Sequence, residues 1–323
     1  MRKFRELVAF LTVMAIATPA IAQQKPHYTQ YFQNMSVINP AVTGMYHDIT
    51  VRTAYRTQWL GLESAPKTSY LTVSKPINIG TSRSGFVDYG VEEPATNSDK
   101  LGYLSSSSHH SIGLVALNDE TGPINRTTVN FTYAYHINIS DVANLAVGVG
   151  GGVNRLALNT SKLRFENPEE PLIADGGNII QWLPDLNAGF YFYSANFFLG
   201  GSVQQALSSK TVFAYDFKSG KEVPHYFLTS GFRIWFKEDY SISPSVMLKY
   251  LSPAPLAYDL NLKIGYRNNL WVGGSYRKND ALAAMFGFNV AKTVSLGYSF
   301  DNSTSPIRNV SSGSHELVLG INF

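Results

Sequence analysis

Across the last forty residues, apolar side chains alternate with small or polar ones at a period of two. Phe286, Phe288 and Val290 fall on one side of the backbone and Met285, Gly287 and Asn289 on the other, because successive side chains of a strand occupy opposite faces. Val294, Leu296, Tyr298 and Phe300 repeat the pattern against Ser295, Gly297 and Ser299. Leu317, Leu319, Ile321 and Phe323 repeat it against Val318, Gly320 and Asn322. Such segments require a sheet with one apolar face and one face of mostly small or polar groups. Soluble sandwiches alternate as well, but a chain ending on Phe323, inside its last alternating run, suits a sheet that closes on itself through its final strand. The fold class expected is all-β: a transmembrane, antiparallel, up-and-down β-barrel.

The other end of the chain carries an address. Arg2, Lys3 and Arg5 precede an apolar run over residues 7–17, then Pro19 and the small-residue pattern Ala20-Ile21-Ala22, the three-part layout of a secretory signal peptide. The run is too short to span a bilayer as a permanent helix, so cleavage after Ala22 is expected. Loss of Arg2, Lys3, Arg5 and Glu6 leaves 23 of 26 basic and 22 of 23 acidic residues, and no basic tract remains to argue for nucleic acid. Charged residues make up 15% of the chain, below the roughly 25% of soluble domains, while aromatics reach 13%. Strands with one face in lipid give that mixture. The absence of cysteine excludes disulfides and thiolate metal sites.

Alternating segments at 49–59, 68–75, 110–118, 128–139, 145–158, 185–193, 196–205, 226–237, 241–250, 258–267 and 270–277, with the three C-terminal runs, make about fourteen strands. An even number is the rule for single-chain outer-membrane barrels. The expected organisation is a signal peptide over 1–22, an irregular N-terminal segment over 23–47 and a barrel over 48–323. Connections at Ser140-Asp141, Ser194-Ala195, Glu238-Asp239, Asn268-Asn269 and Ala291-Lys292 are short and fall on the side of the termini. Those at 157–184, 206–225 and 301–314 are long and opposite, matching short periplasmic turns and long outer loops. Residues 76–109 break the rule and read as an inward-reaching element, with an extra strand pair around 85–89 and 101–104 as the alternative.

Parity also assigns the wet face. Val129, Phe131, Tyr133, Tyr135 and Ile137 should meet lipid, opposite Asn130, Thr132, Ala134, His136 and Asn138. The same rule turns Arg52, Arg56, Arg233, Lys249, Lys263 and Arg267 into the lumen, since a lipid-facing charge at mid-bilayer costs ~2–4 kcal/mol. A simple fate for these bases is pairing with loop or plug carboxylates. A lumen of this strand number lies between small filled barrels and open porins, so conduction depends on a plug, and residues 23–47 are long enough to form one.

Groupings that suggest catalysis are thin. His27, His47, His109, His110, His136, His225 and His315 show no metal-ligand spacing, and His109-His110 reads as a solvated loop pair. Glu166, Glu169, Glu170 and Asp175 gather in the longest outer loop, where solubilising charge is a simpler reading than a weak calcium site. Gly148, Gly150, Gly151 and Gly152 lie inside a strand pattern with no helix after them, so crowding or curvature of the wall explains them better than a phosphate loop. No enzyme, cofactor or metal is expected.

Several segments are more specific. Tyr28-Thr29-Gln30-Tyr31-Phe32, Ile38-Asn39-Pro40-Ala41-Val42-Thr43-Gly44, Tyr55-Arg56-Thr57-Gln58-Trp59 and Ala65-Pro66-Lys67-Thr68 are followed by Asn118-Asp119 with Gly122, Tyr133-Ala134-Tyr135 and Pro184-Asp185-Leu186-Asn187-Ala188-Gly189. In order and spacing this set resembles the PorP/SprF family of type IX secretion membrane proteins over nearly the whole mature chain. Val42 stands where an aromatic is usual, and Met45-Tyr46-His47 where small residues are common. The resemblance implies a non-enzymatic barrel in the lipid of the bacterial outer membrane that serves export of surface proteins. Its implied partners are type IX secretion components and the C-terminal domain of a large secreted protein such as a gliding adhesin. Asn39, Pro40, Ala41, Gly44, Tyr55, Arg56, Gln58, Trp59 and Pro66 are the candidate partner-binding or plug residues. Read by themselves, Asn39-Pro40 fixes an extended or turn dipeptide, Gly44 permits a positive φ, and Trp59 suits an aromatic girdle. A general porin or hydrophobic-solute channel is the alternative.

Overall fold

The structure, a computed structural model, describes residues 28–46, 48–77, 106–163, 178–207, 210–211, 220–236, 239–252, 254–267, 269–290 and 293–323. The expected signal peptide, the possible strands at 85–89 and 101–104, and the acidic group from Glu166 to Asp175 lie outside these residues.

The strands are β1 (Thr50–Thr57), β2 (Lys67–Ile77), β3 (His109–Thr121), β4 (Ile124–Ser140), β5 (Ala143–Asn159), β6 (Asn178–Ser194), β7 (Phe197–Gln204), β8 (Lys210–Thr211), β9 (Gly220–Lys221), β10 (His225–Phe232), β11 (Ile234–Phe236), β12 (Tyr240–Tyr250), β13 (Ala257–Tyr266), β14 (Leu270–Arg277), β15 (Ala281–Val290), β16 (Val294–Ser303) and β17 (Ser314–Asn322). β8 and β9 pair only with each other, as a small ribbon in a loop. β10 and β11 both pair with β12 and form one wall strand interrupted at Arg233. The wall therefore has fourteen strands, each antiparallel to its neighbours. β1 pairs with β17, with Tyr55 opposite Leu317 and Arg56 opposite Glu316, so the sheet closes. Closure is what lipid demands, because an unpaired strand edge would leave backbone N–H and C=O groups without partners.

Alternation then sorts the side chains. Phe131, Val272, Phe286 and Leu317 are exposed on the outside of the wall, whereas Thr132, Trp271, Met285 and Val318 are buried on the inside. Outward aromatics collect at two levels. Tyr226 with Tyr250 and Tyr258 with Tyr276 mark the end carrying the long loops, and Tyr240 with Tyr266 and Phe197 with Phe232 mark the end carrying the short turns. Two such belts bounding an apolar band are the signature of a barrel sitting in a bilayer.

Two connections at the long-loop end are tight hairpins. Gly122-Pro123 joins β3 to β4, and residues 278–280 join β14 to β15. Apolar alternation fades after Leu117, but the ladder continues through polar pairs such as Asn118 opposite Thr127 and Asp119 opposite Arg126. Gly122 then turns the chain with φ of 59°, which glycine adopts at little cost.

A charge placed on the lipid face tests the sidedness. Val272→Arg is expected to lower unfolding free energy in vesicles by about 2–4 kcal/mol. The same measurement on Lys278→Arg, at the rim, should show little change.

Candidate functional site

The polar and aromatic inner faces of the strands converge on the N-terminal segment, residues 28–46. It contains three single turns of 3-10 helix, Tyr31–Gln33, Met35–Val37 and Pro40–Val42. All but Tyr28, Ser36 and Tyr46 are buried, and the segment packs against inward-facing wall residues. Asn39 organises the third turn. Its Oδ1 accepts from the N–H of Ala41 at 3.0 Å, and its Nδ2 donates to the carbonyls of Phe190 and Gly201 at 2.9 and 3.4 Å. Pro40 supplies a fixed φ at the first position of that turn, where its missing N–H is not needed.

Toward the long-loop end the segment is held by charge. The Arg56 guanidinium lies 2.6 Å from Asp301 and 3.1 Å from Glu316, and all three side chains are at most 3% exposed. Thr29 closes the group: its hydroxyl donates to Asp301 at 2.6 Å and accepts from Arg56 and Arg277 at 2.9 and 3.0 Å. The backbone N–H groups of Thr29 and Gln30 donate to Glu316 at 3.0 and 3.2 Å. Arg277 extends the network to Asp280 at 2.7 Å and Asp259 at 3.5 Å.

Midway, Phe32 meets Trp271 edge to face at 5.5 Å, with the Lys263 ammonium over both rings. Tyr31 accepts from Asn261 at 3.0 Å. At the opposite end Tyr46 lies under the Arg52 guanidinium. Thr43 donates to Thr132 at 2.9 Å, and the Thr43 carbonyl meets His136 Nε2 at 2.9 Å. That contact needs the Nε2–H tautomer, which leaves Nδ1 to accept from the Tyr193 hydroxyl at 2.9 Å. His109 stacks on His136 at 4.4 Å.

The expected residues separate into three places. Asn39, Pro40, Ala41, Gly44 and Arg56 are together inside the barrel. Gln58 and Pro66 are buried in the loop above β1, where the Gln58 N–H donates to the Pro66 carbonyl at 2.9 Å, and Trp59 is half-buried there with φ of 52°. Tyr55 is 52% exposed on the lipid face. Arg52, Arg56, Arg233, Lys249 and Lys263 are buried on the inner face. Arg267 is not. β13 stops at Tyr266, and Arg267 takes φ of 49° in the turn, so alternation no longer governs it. It lies exposed on the turn, 3.2 Å from Asp239. His109 and His110 are also not a loop pair, because β3 starts with them: His109 is buried inward, and His110 points outward against Tyr133.

Thr29, Arg277, Asp301, Glu316 and His136 were missed as site residues. Parity places Asp301 and Glu316 inward by the same rule as Arg56, and buried carboxylates are the partners that buried arginines require. The glycine run has a spatial reason. A Cβ on Gly148 would lie 2.5 Å from the Ala41 nitrogen.

A family model described as type IX secretion system membrane protein PorP/SprF matches residues 20–321. The chain belongs to the PorP/SprF family. Its place is the bacterial outer membrane, as a membrane protein of the type IX secretion system. A search of curated proteins finds no match. Among solved structures, the PorP/SprF barrel is similar to the CymD monoaromatic hydrocarbon channel at 10% identity, over 92% of this chain and 93% of that one, with a TM-score of 0.51. It also matches Omp33 of Acinetobacter baumannii at 7% identity, over 87% and 100% of the chains, with a TM-score of 0.49. The Ralstonia pickettii toluene transporter TbuX matches at 12% identity, over 90% and 94%, with a TM-score of 0.47. What the first of these shares with the PorP/SprF barrel is the fold.

Arg56→Ala leaves the buried Glu316 carboxylate without its cation, and Asp301 with Arg277 alone at 3.7 Å, at a cost of about 3–5 kcal/mol. Backbone hydrogen exchange over residues 29–34 in the solubilised protein should then accelerate by a hundredfold or more, on the order of that free energy, while the strands keep their protection.

Proposed function

We propose that this PorP/SprF barrel is a non-enzymatic accessory of type IX secretion whose lumen is plugged by residues 28–46 and whose work is done at its rims. There it binds the C-terminal domain of a large secreted protein, secretion components, or both, and so assists export or surface attachment. The observation that supports this reading is the buried Arg56–Asp301–Glu316–Thr29 network. A segment held inside the barrel by charge-assisted hydrogen bonds is poorly suited to a barrel that works by passing solutes. Arg56, one of the candidate partner-binding or plug residues, then serves as an anchor of the plug, and partner contact falls to the long-loop rim.

The rim offers a surface for that contact. The loop after β1 and the loop before β17 are joined by Leu60 N–H to the Gly313 carbonyl at 2.8 Å and Ser312 N–H to the Leu60 carbonyl at 2.7 Å. On this ridge Leu60 is 45% and Val310 62% exposed, beside half-buried Trp59. Apolar side chains held out by a hydrogen-bonded frame suit a docked protein surface.

The competing reading, a hydrophobic-solute channel, draws on the likeness to a barrel described as a monoaromatic hydrocarbon channel. That likeness concerns the wall. Planar-bilayer recording separates the two: the native barrel should be silent, and removal of residues 28–46 should open a steady conductance. A native barrel that conducts as well as the truncated one would favour the channel.

The rim is tested by Trp59→Ala combined with Leu60→Asp. The doubly substituted barrel should still shift mobility on heating, as folded barrels do, while the secreted partner no longer co-purifies or reaches the surface. Undiminished display would remove the rim from the mechanism.

A further inference from the structure

Most bases of the wall turn inward or stand near the long loops, and Lys75 does neither. It follows Ser74, which pairs with Thr50 at the start of β1, so it stands at the short-turn edge of the sheet. Ser74 and Pro76 on either side are buried, whereas Lys75 is exposed on the lipid face. Among the described wall strands it is the one charged residue that points outward in the half nearer the short turns. Lys75 begins a row that runs in register through Ile112 and Tyr133 to Val149. Two residues toward the long loops, about 7 Å away, a second outward row carries Leu114, Phe131 and Gly151.

The two rows do not make a flush surface. Phe131 is 71% exposed, whereas Gly151 beside it carries no side chain, and a Cβ there would meet nothing within 4 Å. The result is a groove of about 630 Å³ on the outer wall, bordered by both rows with Lys75 among them. That volume lies within the roughly 300–1,000 Å³ of small-molecule sites, and the outward side chains around it are apolar or aromatic apart from Lys75. His110 is the diagonal neighbour of Lys75 across the β2–β3 ladder, within reach of a long side chain. It is exposed, and its Nδ1 lies 2.6 Å from the Tyr133 hydroxyl. Donation from Tyr133 leaves Nε2–H as a second donor near the ammonium. An apolar protein surface could fill such a groove but would leave the base at its end unmatched. A phospholipid matches both parts, with its chain along the groove and its phosphate at the donors.

We propose that this groove is a binding site for an anionic phospholipid of the periplasmic leaflet. The short turns are the periplasmic end of such a barrel, which places Lys75 at the headgroup level of that leaflet. An acyl chain lies over Gly151 between Leu114, Phe131 and Val149, and the headgroup phosphate meets Lys75 and His110.

The test uses the full-length barrel in a non-ionic detergent, incubated with equal amounts of phosphatidylglycerol and phosphatidylcholine that carry the same acyl chains. Native mass spectrometry then counts each lipid retained. Phosphatidylglycerol should be retained about fivefold over phosphatidylcholine, the worth of one base near an anionic headgroup. Lys75→Gln should abolish that preference. Gly151→Phe, which fills the groove where a side chain meets no obstacle, should release both lipids while Lys75 stays in place. Both substitutions face outward, so both barrels should keep the heat-dependent mobility of the folded protein. Lys278→Gln, which removes a base at the long-loop rim, should leave retention unchanged. Equal retention of the two lipids by the native barrel, or a preference that survives either groove substitution, would overturn the proposal. So would a second protein that co-purifies with the native barrel and is released by Gly151→Phe in the absence of any lipid preference, since the groove would then belong to that protein.

Discussion

Arg56 joins three parts of the chain that lie far apart in sequence. It stands on the first strand, pairs with carboxylates on the last two, and reaches Thr29 in the segment before the barrel begins. The seam between β1 and β17 is where this barrel must close without the help of a hairpin turn, so its register has to come from side chains. Arg56 directly opposite Glu316 supplies it. A slip of one residue would turn Arg56 into lipid, and a slip of two would part it from its partner. Buried ion pairs add little net stability over apolar packing, and their best-attested use is in fixing one arrangement among several. Here the same group fixes closure and seats the N-terminal segment.

Much of the wall was legible because one rule governs it. Period-two alternation identified the strands, their lipid faces and the inward set Arg52, Arg56, Arg233, Lys249 and Lys263. It failed where the backbone leaves the strand, as at Arg267, whose positive φ breaks the parity. It also fell short where pairing continues through polar residues, as between Asn118 and Thr127, and where a histidine pair that looks solvated sits at the start of a strand.

The seat of the segment was far less legible. Nothing in local sequence ties Asn39 to Phe190 and Gly201, or Thr29 to Asp301 and Arg277, because these contacts join residues 151 to 272 positions apart. The motifs near Tyr28, Asn39 and Arg56 include residues that seat the segment, but their partners emerge only when the wall curves them together. Arg56 illustrates the limit. Its motif leaves open recognition of another protein or seating of a plug, and its burial against Asp301, Glu316 and Thr29 ties it to this chain.

Glycines show how closely the wall is shaped to what lies inside it. Gly148 stands where the Ala41 backbone touches the wall, so any side chain there would push the third turn of the segment away. Four residues on, Gly152 leaves the opening through which Asn130 and Asp185 meet. A glycine costs a strand both packing and conformational entropy, and three of them at alternate inward positions weaken β5 as a strand in isolation. That weakness is offset at Gly152 by the amide–carboxylate pair of the flanking strands, and at Gly148 by the seated segment. The inner face of β5 is thus complete as a surface only with its contents in place. The barrel wall and the N-terminal segment are accordingly best regarded as one folding unit.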